Sequence, residues 1–205
     1  MGRPKNQDLR RQQLLQAARA AIVEHGIGEV GVRDIAKAAG MSPGSITYYY
    51  PALDDLLQQV QNDAADRFVT QRWELVRRVE GPTERLVGLV EHGVATGPDD
   101  ELLCLLNEFT GLARRNPTYR LLWKTLYERQ VAIYESVLAT GQTLGAFQLA
   151  GPVLPIARNL VGLEDVYAFH VVSQASFTRE QAIELILDYA RVAVGCEVSR
   201  TQSTI

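Results

Sequence analysis

The chain has few of the features that define several common protein classes. It holds two cysteines in 205 residues, Cys104 and Cys196, too far apart in sequence for a metal knuckle or a redox pair. Its apolar runs stop short of the roughly 18 residues that span a bilayer, and its N-terminus lacks the apolar core of a signal peptide. Sixteen glycines without a period exclude collagen, and 46% hydrophobic residues exclude a disordered chain. We expect a globular cytoplasmic protein that does not cross a membrane.

Motifs for metal, cofactor or catalytic chemistry are also scarce in the sequence. His25, His92 and His170 have no cysteine or carboxylate at ligand spacing, and the sequence contains neither a P-loop nor a dinucleotide fingerprint. Residues 40–44, GMSPG, match the G-x-S-x-G nucleophile elbow of the α/β-hydrolases. That motif needs a strand before the serine and an N–H after it, where this chain has a helical pattern and Pro43. We expect no metal, no cofactor and no enzyme activity, with an esterase-like hydrolase as an unfavoured alternative.

Charge is divided unevenly along the chain, whose formal net charge is −3. Residues 1–50 hold seven Lys or Arg against four Asp or Glu, a net of +3, and the remainder holds 14 against 20, a net of −6. The extreme N-terminus is the most basic part, with Arg3, Lys5, Arg10 and Arg11. A basic head on an acidic body is typical of a protein whose head alone meets a polyanion, although a solvated basic tail gives the same count.

Helical periodicity runs through the whole sequence and predicts an all-α fold of about nine helices. Glycine and proline pairs such as Gly81-Pro82, Gly97-Pro98 and Asn116-Pro117 separate the periodic segments. The predicted helices cover about residues 14–25, 32–39, 43–50, 54–79, 83–95, 100–115, 118–140, 156–174 and 179–194. Residues 166–172 are rich in strand formers, so helix eight has the weakest helical pattern.

Two short helices joined at a glycine predict a helix-turn-helix. Gly40 suits the left-handed position after the first helix, and Ser42-Pro43 provide a cap and a first residue for the second. Ile46 and Tyr50, four residues apart, are predicted to pack inward.

The other side chains of the second helix are predicted to face outward. Three of the residues at its end are consecutive tyrosines, and phenols can bond phosphate oxygens and touch thymine methyls. The alternative is that these tyrosines fill a groove against helix four. The residues predicted to face outward are Pro43, Gly44, Ser45, Thr47, Tyr48 and Tyr49.

Residues 35–51, IAKAAGMSPGSITYYYP, followed by DDLL at 54–57, resemble the DNA-binding signature of the tetracycline-repressor (TetR) family of bacterial regulators. Residues 112–117 (LARRNP), 145–147 (GAF) and 163–165 (LED) are similar to the choline-pathway repressor subgroup. The resemblance implies a homodimeric, ligand-responsive transcriptional repressor. Such a repressor binds a palindromic double-stranded DNA operator and is released by a small-molecule effector. A DNA-binding architectural protein of the same fold without a ligand is the alternative.

The resemblance also implies a domain division and roles for individual residues. Residues 1–52 would bind DNA, and residues 53–205 would bind the ligand and dimerise. Two departures from the family pattern bear on the DNA contacts. Thr47 replaces a common tyrosine, and Leu53 replaces a lysine that binds phosphate. By position, the base-reading residues would be Arg33, Ser45, Thr47 and Tyr48, the backbone-contacting residues Pro43, Gly44 and Tyr49, and the basic arm Arg3 and Lys5.

The body contains residues that differ from a simple aliphatic core and are candidates for ligand contact. Glu108 lies in an apolar stretch, where a buried carboxylate needs a partner, which would be Arg114, Arg115 or a ligand cation. Aromatic residues at helical spacing are also common in cores and interfaces. The candidate ligand-binding residues are Trp73, His92, Asn107, Glu108, Trp123, Tyr127, Tyr134 and Phe147.

Apolar stripes on the last two helices exceed what a two-helix tail can bury, which indicates a four-helix dimer interface. The predicted interface residues are Leu160, Leu163, Tyr167 and Val171 on helix eight, and Ile183, Ile186, Leu187 and Ala190 on helix nine.

Overall fold

The computed structural model describes residues 3–200, with side chains from Gln7 onward. Within this range every regular element is an α-helix, which confirms the predicted fold class. None of the helices in this range is long and apolar enough to cross a membrane. The helices are α1 Arg3–His25, α2 Val32–Ala39, α3 Pro43–Tyr49, α4 Leu53–Arg78, α5 Pro82–Gly93, α6 Glu101–Ala113, α7 Pro117–Thr143, α8 Val153–Val172 and α9 Arg179–Val194.

Most helix ends lie within three residues of the predicted ends, and α1 is the main exception. It begins at Arg3, whereas the apolar repeat begins at Leu14. Residues 7–13 are all exposed, so this part of α1 carries no apolar face that a periodicity could show. The strand-forming stretch 166–172 lies within α8, because tertiary packing outweighs local propensity.

The chain forms two compact units, which are divided differently from the predicted domains. The first, here called the head unit, comprises Met1–Asp66 and Cys104–Trp123. The second, the body unit, comprises Arg67–Leu103 and Lys124–Ile205. The assignment of DNA binding to residues 1–52 and of ligand binding to residues 53–205 stays a prediction.

The core of the head unit is formed where α1, α2 and α3 meet. Leu14, Ala18 and Ile22 recur on one face of α1 and are buried, and Ile35 of α2 and Ile46 of α3 are buried with them. Burial of each aliphatic side chain contributes about 1.5–3 kcal/mol to stability. This packing fixes α3 against the rest of the head by one face and leaves its other face outside.

The core of the body unit lies largely between α8, α9 and α5. Leu160 of α8, Ile183 and Ile186 of α9, and Leu86 and Leu89 of α5 have no exposed surface. Thr178 begins α9 with a reciprocal cap, because its hydroxyl accepts from the Gln181 N–H (3.3 Å) while the Gln181 side chain accepts from the Thr178 N–H (3.0 Å).

Candidate nucleic-acid interface and body cavity

The turn between α2 and α3 follows from three residues. Gly40 adopts φ 62°, ψ 34°, a left-handed conformation that favours glycine, and the Met41 N–H closes the end of α2 on the Ala36 carbonyl at 2.9 Å. The Ser42 hydroxyl then accepts from the Ser45 N–H at 3.2 Å, and Pro43 occupies the first turn. Since α2 is a helix and Ser42 caps α3, the GMSPG pattern forms a helix-turn-helix junction and lacks the strand that a nucleophile elbow requires.

The inner face of α3 is held by two side chains, as its spacing predicts. Ile46 is 1% exposed and Tyr50 is 4% exposed. The Tyr50 hydroxyl donates to Gln59 Oε1 at 2.8 Å, and the Arg11 guanidinium lies 5.6 Å from the centre of the Tyr50 ring. Burial raises the pKa of Tyr50 above its ordinary value, so this phenol stays protonated and keeps its hydrogen bond.

The side of α3 that faces away from the head core is here called the α3 outer face. It consists of four exposed residues, Pro43, Gly44, Thr47 and Tyr48. Tyr48 is 71% exposed, a large fraction for an aromatic side chain, and so does not fill a groove against α4. Tyr49 is half-buried, and its ring meets the Tyr48 ring edge-on at 5.1 Å. The Thr47 hydroxyl donates to the Gly44 carbonyl at 3.1 Å, which leaves its methyl group and oxygen lone pairs to the outside.

The α3 outer face borders a polar groove of about 630 Å³ in the head unit. Ser45, Tyr48 and Tyr49 line the groove from α3, and Arg10 lines it from α1. Arg10 is exposed and donates to Gln13 at 3.0 Å. The structure thus brings four of the predicted DNA-binding residues, Gly44, Ser45, Tyr48 and Tyr49, to one surface with a basic side chain that the residue-by-residue assignment had omitted.

The predicted DNA-contacting residues outside α3 are Arg33, Arg3 and Lys5. Arg33 is exposed on α2. The side chains of Arg3 and Lys5 lie outside the described residues. Leu53 is half-buried as the first residue of α4.

Two hydrogen bonds tie the Cys104–Trp123 segment to the other part of the head unit. Glu108 Oε2 accepts from the Ile27 N–H at 2.8 Å, in the loop between α1 and α2. The Tyr119 hydroxyl donates to Asp54 Oδ1 at 2.7 Å, at the start of α4. Burial raises the pKa of Tyr119 and the adjacent Asp54 carboxylate raises it further, so the donor is retained at all ordinary pH values.

The Glu108 contact corrects the pairing expected from the sequence. Arg114 and Arg115 are exposed, and the described hydrogen bond of Glu108 goes to a backbone amide of the α1–α2 loop. The physical reason is that a loop amide outside a helix needs an acceptor, which a carboxylate from another element supplies.

A buried polar cluster, absent from the sequence predictions except for Tyr134, lies in the body unit. Arg72 of α4 is fully buried, and its Nη2 lies 3.1 Å from Glu164 Oε2 and 3.2 Å from Glu164 Oε1. The Tyr134 hydroxyl donates to Glu164 Oε1. The Arg72 guanidinium lies 5.2 Å from the ring centres of both Phe68 and Tyr134, within cation–π range.

The protonation of this cluster follows from its burial. Burial raises the pKa of Glu164, while Arg72 and the Tyr134 hydroxyl oppose the shift. Burial and the Glu164 charge raise the pKa of Tyr134, which therefore remains a donor. Gly93 makes room for the carboxylate, since a Cβ atom at position 93 would lie 2.2 Å from Glu164 Cδ.

The sequence does contain a signal for this pair. Arg72 lies four residues after Phe68 and four before Val76, on the buried stripe of α4. Glu164 lies in the same way between Leu160 and Ala168 on α8. A charged residue on each of two apolar stripes indicates a buried ion pair, although it does not say which residues pair.

A cavity of about 590 Å³, here called the body cavity, lies beside this cluster. Its apolar lining includes Phe68, Leu75 and Val94, and its polar lining includes His92 and Arg179. The His92 and Phe68 rings are 5.3 Å apart. Burial lowers the pKa of His92 to about 4, and the nearby Arg72 charge contributes, so the imidazole is neutral at pH 7.

Of the eight predicted ligand-binding residues, His92 lines the body cavity and the other seven do not. Tyr134 is fully buried in the ion-pair cluster, and Phe147 packs against Gly141 so closely that a Cβ atom there would lie 2.1 Å from Phe147 Cδ2. Trp73 and Tyr127 are half-buried in the body unit. Asn107, Glu108 and Trp123 belong to the head unit.

Most of the predicted dimer residues are buried inside one protomer. Six of the eight are buried, so they offer no surface to a partner; these are Leu160, Val171, Ile183, Ile186, Leu187 and Ala190. Leu163 and Tyr167 are half-buried. Within one protomer α8 and α9 pack on each other and on α5, which covers most of the apolar stripes that the sequence analysis assigned to a dimer interface. The part of these eight residues in dimerisation stays a prediction.

Exposed apolar side chains nevertheless remain on the same two helices. Val166 is 56% exposed and Phe169 55% exposed on α8, and Val192 is 75% exposed on α9. Leu185 of α9 is 39% exposed.

Comparison with known proteins relates both the sequence and the fold to one family. Residues 14–60 match the profile of the bacterial regulatory proteins of the tetR family. The repressor KstR2 of Mycolicibacterium smegmatis is 26% identical over 140 residues, 63% of this chain and 68% of that protein. The regulator BetI 2 of Chromohalobacter salexigens is 41% identical over 71 residues, so that match spans about a third of each protein, 33% and 34%.

Two solved structures share the fold over almost their full length. A TetR transcription regulator from Haloarcula marismortui superposes with a TM-score of 0.82 at 22% identity, covering 91% of this chain and 99% of that one. A transcriptional regulator from Saccharomonospora viridis, solved in complex with choline, superposes with a TM-score of 0.81 at 22% identity, covering 88% and 95%. The matched helix-turn-helix profile and the named relatives relate this chain to the transcriptional regulators of the TetR family, whose all-helical fold it shares.

Proposed function

We propose that the protein is a repressor that binds a palindromic DNA operator as a homodimer and is released by a small-molecule effector. The observation that carries the DNA-binding part is the α3 outer face, where Thr47 and the 71% exposed Tyr48 point away from the head core. A short helix held by one face, with an exposed aromatic side chain on the other, has the form of a recognition helix in a major groove.

The proposed DNA contacts fall into two groups, those with bases and those with the phosphate backbone. Thr47 donates its hydroxyl proton to Gly44, so it would meet a base through its methyl group or as an acceptor, which suits a thymine methyl or an amino group. Arg33, Ser45 and Tyr48 would read the neighbouring bases. Pro43, Gly44 and Tyr49, the Arg3 and Lys5 arm and the exposed Arg10 would contact the backbone, where a cation acts on every sequence alike.

The proposed dimer forms through the exposed apolar residues of α8 and α9. Val166 and Phe169 are three residues apart on α8, and Leu185 and Val192 are seven apart on α9, so each pair shares one helix face. A symmetric pair of such faces gives a four-helix interface. Two recognition helices would then read half-sites about 34–36 Å apart.

The proposed effector site is the body cavity. Its volume of about 590 Å³ suits a small molecule, and its mixed apolar and polar lining differs from a filled aliphatic core. That feature favours a ligand-responsive regulator over an architectural protein. The related regulator from Saccharomonospora viridis was solved with choline, which supports a small-molecule effector as a class.

Release requires the effector to prefer one conformation of the dimer. A ligand shifts the balance only by its differential affinity for the two states, about 1.4 kcal/mol for each tenfold ratio. We propose α4 as the connecting element, because it begins just after α3 and also supplies Phe68, Gln71 and Leu75 to the body cavity.

Selection of the purified protein against a random duplex pool near 0.15 M salt tests the DNA-binding part. We expect enrichment of a palindrome whose half-sites are one helical turn apart. A Thr47→Ala variant should enrich a different base at one position per half-site, whereas Leu144→Ala, an exposed position in the body unit, should enrich the wild-type sequence. Absence of any enriched palindrome with folded wild-type protein would refute operator reading.

A further inference from the structure

The acidic side chains that line the body cavity from partly buried positions are already engaged. Asp100 Oδ2 accepts from the Thr96 N–H at 2.9 Å and from the Thr96 hydroxyl at 3.0 Å, and its Oδ1 accepts from the Leu103 N–H at 3.1 Å. Glu91 Oε1 accepts from Arg200 Nε at 2.6 Å. The remaining acidic lining residues, Asp99 and Glu101, are exposed, so water screens their charge.

The nitrogen groups of the same cavity are not fully engaged. His92 Nδ1 and Arg179 Nε are buried and have no hydrogen-bond partner among the described residues. Arg179 Nη2 donates to the Glu91 carbonyl at 2.7 Å, and Glu91 directly precedes His92 in α5. The Arg179 guanidinium and the His92 imidazole therefore lie at the same end of α5.

A second cation, Arg72, lies near the His92 ring. Arg72 Nε and Nη1 are buried without a partner among the described residues, and Phe68 contacts both the Arg72 guanidinium and the His92 ring. The exposed Arg67 adds a further positive charge to the lining. Among the described residues that line the cavity, the buried polar atoms without a hydrogen-bond partner are His92 Nδ1 and Arg179 Nε. The guanidinium N–H is a donor and the imidazole can donate from Nδ1, so a complementary ligand would bring acceptor oxygens.

The lining argues against a quaternary ammonium ligand. Such cations are bound in cages of several aromatic faces, or beside a buried carboxylate that lacks another partner. Phe68 and His92 are the aromatic side chains among the described lining residues, and the partly buried carboxylates are engaged as described above. The apolar surface of Phe68, Leu75 and Val94 suits an aliphatic or alicyclic chain.

We propose that the body cavity binds an amphipathic carboxylate, with the carboxylate held by His92 and Arg179 and the apolar body against Phe68, Leu75 and Val94. The regulatory role of this ligand rests on the proposed function, whereas its binding to the body cavity does not. The carboxylate would supply the acceptor that both nitrogen groups lack, and its charge would oppose the burial and the Arg72 charge that together lower the pKa of His92.

The closing experiment is calorimetric titration of the full-length protein without DNA. The probes are hexanoate, octanoate and decanoate, each with its matched alcohol and its alkyltrimethylammonium counterpart. We expect the best carboxylate to bind at least about tenfold more tightly than the matched alcohol, because a charged hydrogen bond has no counterpart in the alcohol. His92→Phe, which keeps an aromatic ring beside Phe68, and Arg179→Gln should each remove that preference.

Matched controls are His170→Phe, a histidine that does not line the body cavity, and Arg191→Gln, an arginine on the same helix as Arg179. Both should keep the wild-type preference for the carboxylate. A measurement on the wild-type protein tests the proposal even if a variant does not fold. NMR titration should show a His92 pKa near 4, and this pKa should rise when the carboxylate is bound.

Equal binding of alcohol and carboxylate, tighter binding of the ammonium compound, an unchanged His92 pKa in the carboxylate complex, or binding of no probe would each overturn the assignment. None of these results depends on DNA. Failure of the proposed regulatory function is detected separately, by the duplex selection.

Discussion

Arg72 and Glu164 form a buried ion pair across 92 residues of sequence, with Arg72 Nη2 3.1 Å from Glu164 Oε2 and neither residue more than 1% exposed. The pair joins α4 to α8, and Tyr134 of α7 supplies a second hydrogen bond to the same carboxylate, at Oε1. A buried pair of this kind is costly to break, because the remaining charge stays in a medium of low dielectric constant.

Glu164→Gln should therefore lower the free energy of unfolding by about 3–5 kcal/mol, since it leaves Arg72 without a counter-charge. Urea unfolding followed by circular dichroism measures the change. The double variant Arg72→Met, Glu164→Leu should recover a large part of the loss, because it removes both charges. A loss below about 1 kcal/mol for Glu164→Gln would show that the pair is not buried as described.

Gly93→Ala should destabilise the protein by about 1–3 kcal/mol, because the added Cβ would lie 2.2 Å from Glu164 Cδ and would force the ion pair apart. Gly111→Ala is the matched control. Gly111 is exposed in α6 with open space around its Cα, so alanine there should stabilise the helix by about 0.5–1 kcal/mol. Thermal unfolding of the two variants should shift in opposite directions, and shifts of the same sign would contradict the packing at Gly93.

His92 should make stability depend on pH between about 6.5 and 4. Its folded pKa is about 4 against an ordinary value of 6.5, so in this window the unfolded chain binds a proton that the folded protein does not. The contribution is therefore fully present above pH 6.5 and is lost as the pH falls toward 4, by about 1–2 kcal/mol for a partly exposed group.

Urea unfolding at a series of pH values measures this effect. His92→Phe should show a smaller loss of stability between pH 7 and 4.5 than the wild type does. His25→Gln, at an exposed position on α1, is the control and should follow the wild-type curve. Parallel curves for His92→Phe and the wild type would place the acid sensitivity elsewhere.

Thr47→Ala and Arg10→Ala should affect DNA binding in different ways. Loss of Thr47 should cost about 1–3 kcal/mol on the selected operator and less on other duplexes, because its contact is to a base. Loss of Arg10 should weaken all duplexes alike and reduce the slope of log K against log salt by about one unit, because its contact is to phosphate. Fluorescence anisotropy at several salt concentrations separates the two, and equal effects on every sequence from both variants would contradict these roles.

Phe169→Glu and Val192→Glu should each dissociate the proposed dimer, because each places a charge on an exposed apolar face of α8 or α9. Leu144→Glu is the control, since Leu144 is an exposed leucine outside these two helices. Sedimentation equilibrium should give a monomer mass for the first two variants and a dimer mass for the control. A dimer in all three would place the interface elsewhere.

The helix-turn-helix could be predicted closely, because its determinants are local. Gly40, Ser42, Pro43 and Pro51 act through backbone conformation and hydrogen bonds within a few residues, so their sequence positions fix the ends of α2 and α3. The inward direction of Ile46 and the outward direction of Tyr48 follow from the same short helix.

The candidate ligand site could be predicted only in part. His92 was among the expected residues and lines the body cavity. Arg179, which lines the same cavity, was not, since the two are 87 positions apart and share this lining only when α9 packs near α5. The sequence analysis singled out Glu108 as a carboxylate in need of a partner, and only the fold shows its hydrogen bond to the Ile27 N–H.

The sequence by itself determined the helices, their order, the recognition turn and the resemblance to the TetR family, because these depend on periodicity and on contacts between near neighbours. The tertiary structure decided which apolar faces are used inside the protomer, as with Ile183 and Ile186, and which remain outside, as with Val192. It also decided that Arg72 pairs with Glu164. Periodicity specifies that a face will be buried but carries no information about what covers it, and that depends on how distant helices pack.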